Sequence, residues 1–128
     1  PLAVRMDMAI ELMTDYLFES PEISNLILFR YFGKTRPQNH FDFHVPEFIS
    51  DIARSMDLCK DQKNAPVEVR MQVLTLMNAI HSFISGENFF RPMLGLEKEP
   101  YRKKVKATLK FILIPAFSGT RQPDEAIV

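Results

Sequence analysis

The sequence predicts an all-α protein: a five-helix bundle whose last two helices pair with those of a second copy as a four-helix homodimer interface. Three observations carry this expectation. Pro21, Pro46, Pro66 and Pro100 each stand before an apolar pattern of helical period, and proline suits the first helical turn because its missing N–H has no intrahelical acceptor there. No strong strand candidate, repeat or low-complexity tract interrupts the pattern. The last two helices also carry more apolar surface than one bundle readily covers.

Taken in order, the first helix runs from Leu2 to Phe18, with Leu2, Met6, Ala9, Met13, Tyr16 and Leu17 on one stripe. Ser20 and Pro21 open the second, which reaches Phe32 and contains the apolar run Leu26-Ile27-Leu28-Phe29, so it should be mostly buried. The third, from Pro46 to Lys60, alternates Phe48, Ile49, Ile52, Ala53, Met56 and Cys59 with a polar face of Ser50, Asp51, Arg54 and Asp57. The fourth runs from Ala65 to Phe90. Between Met71 and Gly86 it has no charged residue, so no side of it is an obvious solvent side. One of its stripes is Val69, Val73, Leu76, Ile80 and Phe83; the other is Val67, Met71, Leu74, Asn78, His81 and Ser85. After the short link "RPMLGLEKE", the fifth helix covers Pro100 to Phe117. Residues 120–128 read as an extended or disordered tail.

A second copy is the economical cover for the surplus apolar surface, with Phe83, Tyr101, Val105, Leu109, Ile112 and Ala116 as the interface. At 128 residues, 46% apolar and 25% charged, the composition is that of one globular domain. Sixteen basic residues balance sixteen acidic ones, so the chain lacks the basic field that non-specific DNA binding needs. One cysteine, Cys59, allows no internal disulfide and fits a cytoplasmic setting. The uncharged runs are too short to span a bilayer, and no membrane partner is expected. The chain enters a helical pattern directly at Pro1 and reads as part of a longer protein.

Two groups could carry chemistry. In "NHFDFH", His40, Asp42 and His44 alternate, so in an extended chain they could converge on a metal. Nothing nearby supplies a further ligand, and Phe41 and Phe43 between them suit a loop folding its rings onto the bundle. His81 and Asn78 are the other group: either a hydrogen-bonded interior pair or ligand-orienting groups in a pocket. Cys59 on an apolar stripe reads as an inert buried thiol. The Arg102-Lys103-Lys104-Lys106 cluster reads as a solvated helix start. No Ser/His/Asp grouping, phosphate loop or glycine fingerprint appears, so no catalytic residue, cofactor or metal is expected.

"ESPEISNLILFRYFG", "VPEFISDIARSMDLCKD", "VEVRMQVLTLMNAIHSFISGENFFRPML" and "EPYRKKVKATLKFILIPAFSG" occur in an order that resembles the C-terminal regulatory domain of TetR-type transcriptional regulators. The likeness covers residues 1–119. It implies a bacterial repressor that dimerises through the last two helices, binds a small apolar effector inside the bundle, and reaches DNA only through an N-terminal helix-turn-helix absent from this chain. The effector would lie between the first four helices, with Phe29, Phe48, Ile52 and Met56 facing Met71, Leu74, Asn78 and His81. If helix four is turned the other way, the ligand would meet Val69, Val73 and Leu76 instead. A metal-dependent enzyme using His40, Asp42 and His44, or a helical protein-interaction module, is the alternative.

Overall fold

One central helix touches every other described helix. The structure, a computed structural model, describes residues 1–32, 45–56, 58 and 65–119. Among them are six helices and no strand: α1 (Leu2–Glu19), α2 (Pro21–Phe32), α3 (Val45–Ser55), α4 (Val67–Ser85), α5 (Glu87–Leu94) and α6 (Lys98–Ser118). α4 packs against the other five. The uncharged stretch that it carries from Met71 onward suits that place, because most of its circumference meets protein. Val73, Leu76, Met77, Ile80, His81 and Ile84 are buried. No helix among the described residues is long and apolar enough to cross a membrane.

The expected fourth helix is two helices. α4 stops at Ser85 and α5 begins at Glu87, so most of the anticipated link is itself helical. Gly86 makes the joint possible by close approach. A Cβ there would lie 2.4 Å from the Phe90 ring and 2.8 Å from the Ser82 carbonyl oxygen. Gly95, at φ 67°, ends α5 in the left-handed conformation glycine favours.

α1 buries Met6, Ile10, Thr14, Leu17 and Phe18, a stripe rotated from the expected one; Tyr16 is exposed. Thr14 tolerates the core because its hydroxyl donates to the Ile10 carbonyl at 2.6 Å. α2 departs further from expectation. It lies along one side of α4; among its described side chains Ser24 alone is fully buried, while Leu26 and Phe29 face outward. In α3, Ile49 and Ala53 are buried as expected, but Ser50 is buried too: its Oγ accepts the Ala65 N–H at 3.1 Å.

α6 lies antiparallel on α1. Lys110 pairs with Asp7 and Glu11, Lys106 with Glu11 and Asp15, and Arg102 with Glu19. Arg102 also donates to Glu87 of α5 at 2.9 Å and stacks over the Phe18 ring, 4.7 Å from its centroid. The basic start of this helix is therefore not simply solvated: Arg102 and Lys106 are clamps, while Lys103 and Lys104 face solvent.

Candidate functional site: an apolar cleft between α1, α3 and α4

A cleft of about 400 Å³ opens where α1, α3 and α4 converge. From α1 come Leu2, Met6, Ala9, Ile10 and Met13, with Arg5 at the edge; α4 supplies Leu76, Met77 and Ile80. Ile52, Ser55 and Met56 close the third side from α3 and the residue after it. The floor is the main core, since Met6, Ile10, Met56 and Ile80 are all buried. Four of the lining residues are methionines, whose unbranched thioethers adapt to differently shaped apolar guests. Such a space, with few polar groups at its edge, is the usual composition of a small-molecule pocket.

The polar groups are few and placed. Arg5 Nη1 donates to the carbonyl of Ser55, the last residue of α3, at 2.8 Å. That bond ties α1 to the C-terminal end of α3, where carbonyls lack intrahelical partners and a cation is favourable. The Ser55 hydroxyl is turned away, donating to the Ile52 carbonyl at 2.7 Å.

The expected ligand residues divide. Ile52 and Met56 line the cleft. Leu74 packs in a second cluster with Val73 and Met77, away from the opening, and Met71 is 59% exposed. Phe29, at 75% exposed, sits on the outer side of α2. Phe48 belongs to α3, but its side chain lies outside the described residues. His81 turns to α2, where its Nδ1 shares a 2.8 Å hydrogen bond with the Ser24 hydroxyl. Burial holds its imidazole below the ordinary histidine pKa. Asn78 Oδ1 is enclosed and meets no hydrogen-bond donor among the described residues. The wall that α4 offers the cleft is thus Leu76-Met77-Ile80, on the side of its wholly apolar stripe.

No known family, curated protein or solved structure matches the chain.

The expected dimer residues divide as well. Tyr101, Val105 and Leu109 are buried inside the single chain, between α6 and its own neighbours. Tyr101, fully buried, donates its hydroxyl to the Phe83 carbonyl at 2.7 Å and meets Phe18 edge-on. Burial, with the Glu87 charge, pushes the phenol up to about 12. Phe83 is half-buried against the same core. Ile112 and Ala116 are exposed, beside Thr108, Phe111 and Pro115. This outer side of α6 is uncharged from Thr108 onward, with Phe111 79% exposed. α4 keeps an uncharged outer side too, through Met71, Thr75 and Ser82.

His40, Asp42 and His44 lie outside the described residues, as does Cys59. Among the described residues no group of three His, Cys, Asp or Glu is placed to hold a metal ion.

Proposed function

We infer that this chain is a ligand-responsive regulatory domain of a TetR-type transcriptional regulator, acting by binding and not by catalysis. A small apolar effector enters the α1/α3/α4 cleft, and the domain dimerises through α4 and α6. The observation that carries the reading is the cleft, an apolar space roofed by the first helix and backed by the central one. The order of segments in the sequence supports the same reading. An effector wedged between α1 and α4 favours one packing of α1 over another. That population shift would move a DNA-binding head attached ahead of α1.

The dimer in this reading keeps Ile112 and Ala116 of the expected stripe and replaces the buried Tyr101, Val105 and Leu109 with the outer side of α6 around Phe111. Phe111 and Ile112, with the outer side of α4, supply the exposed apolar surface. Burying it against a second copy would be favourable by roughly 25 cal/mol per Å² before association costs.

The test is a thermal-shift screen of apolar compounds on the purified chain, repeated on Met77→Trp. A hit should raise the melting temperature of the wild type, and the indole in the cleft should abolish that gain. Full retention of the gain in a folded Met77→Trp protein would move the binding site elsewhere.

A further inference from the structure

We propose that the effector is an uncharged aromatic molecule of about two or three fused rings, held by methionine thioethers on each side of the cleft. The proposal rests on the cleft being the effector site. Met6 and Met13 stand on its α1 side, Met77 on its α4 side and Met56 just beyond α3. A flat guest between the helices meets sulfur whichever wall it lies against. Met6, Met56 and Met77 are buried while Met13 is 37% exposed, so the sulfurs run from the opening to the floor. Among the described lining residues there is no aromatic ring. The lining thus supplies the sulfur half of a sulfur–ring contact and leaves the ring half to the guest.

Burial by area does not separate an aromatic guest from a saturated one of the same outline, since both withdraw similar apolar surface from water. The thioether contact does. A polarisable sulfur beside a ring edge attracts it, and each such contact changes affinity roughly two- to tenfold. Rigidity acts in the same direction, because a fused ring has no rotors to immobilise and an alkyl chain has many.

Volume and polarity narrow the class further. An apolar cavity of about 150 Å³ suffices for benzene. The cleft, at about 400 Å³, has room for more than one ring. No acidic side chain among the described lining residues would balance an ammonium. The two polar side chains at the edge are already engaged, Arg5 with the Ser55 carbonyl and the Ser55 hydroxyl with the Ile52 carbonyl. A charge carried into this space would lose its hydration without gaining a partner, so the guest is neutral.

The experiment titrates naphthol and its saturated counterpart decahydronaphthol into the full chain at neutral pH, by calorimetry. Both should bind. Met77→Leu and Met13→Leu keep an apolar side chain of similar volume and remove the sulfur. Each should weaken naphthol roughly two- to tenfold and leave decahydronaphthol within about twofold. Norleucine in place of every methionine, which exchanges sulfur for methylene at nearly unchanged shape, should reproduce the selective loss. Equal losses for the two guests, or no loss of naphthol binding in any of the three proteins, would overturn the aromatic assignment and leave the cleft in place. Naphthoate and naphthylmethylammonium should both bind more weakly than naphthol, and either binding more tightly would overturn the uncharged class. Binding by neither naphthol nor decahydronaphthol, or binding of both undiminished in folded Met77→Trp, would overturn the cleft itself.

Discussion

Ser24 and His81, fifty-seven positions apart in sequence, share a buried 2.8 Å hydrogen bond that joins α2 to α4. Among the residues of α2 whose side chains are described, Ser24 alone is fully buried, so this bond sits at the centre of that helix's attachment. The imidazole is held neutral by burial, below its ordinary pKa.

The pH dependence follows. A histidine whose pKa is lowered on folding binds fewer protons when folded than when unfolded. Its contribution to stability is therefore complete above the ordinary value of about 6.5, and is lost as pH falls through the lowered folded value. Denaturant melts at a series of pH values should show stability declining on the acid side of that point. His81→Gln should flatten this part of the profile. Ser24→Ala, which leaves a buried ring nitrogen without its partner, should cost about 1–3 kcal/mol at neutral pH. An unchanged acid slope in His81→Gln would assign the decline to the carboxylates.

Arg102 should matter more than its neighbours on α6. Its side chain is 14% exposed and links Glu87, Glu19 and the Phe18 ring. Arg102→Ala leaves the largely buried Glu87 carboxylate without its partner, at a cost of about 1–3 kcal/mol, and Arg102→Lys should restore little. Lys110→Ala, whose partners Asp7 and Glu11 are about half-exposed, should cost at most about 1 kcal/mol and less in high salt. Equal losses for the two alanine variants in chemical denaturation would contradict this ranking.

Leu109 and Phe111 separate fold from assembly. Leu109→Glu places a charge in the chain's own core and should prevent stable folding, seen as loss of cooperative melting. Phe111→Glu changes only an exposed side of α6. It should leave the helical signal and monomer fold intact while weakening dimerisation by at least about 2 kcal/mol per dimer in sedimentation equilibrium. A wild-type monomer at high micromolar concentration would remove the dimer from the account.

How much of this was legible in the sequence depended on whether one helix sufficed to read it. The period of Tyr101, Val105 and Leu109 marks a buried side of α6. Periodicity says only that a side is buried, not whether its own chain or a second copy covers it. α4 posed a related problem, since with no charged residue between Met71 and Gly86 nothing marked its orientation. Met77 belongs to neither of its two stripes, yet it lies on the cleft wall. The break at Gly86 was not read, because the apolar pattern resumes at Phe89 and Phe90 beyond it. The acids Asp7, Glu11, Asp15 and Glu19 and the bases Arg102, Lys106 and Lys110 both recur every fourth residue. Matching them requires the antiparallel contact, which only the tertiary structure supplies. Ile52 and Met56 were legible because α3 is amphipathic enough to fix its inward side.

The chain's seven methionines provide the most direct test of the central claim, that a small apolar molecule binds between α1, α3 and α4. Met6, Met13, Met56 and Met77 line the cleft, whereas Met8, Met71 and Met93 are exposed elsewhere. Methyl NMR of methionine-labelled protein, titrated with decanol at constant protein concentration, reads all seven at once. The account predicts saturable shifts for the first four and none for the other three. Shifts confined to Met8, Met71 and Met93, with the cleft methyls unmoved, would contradict it.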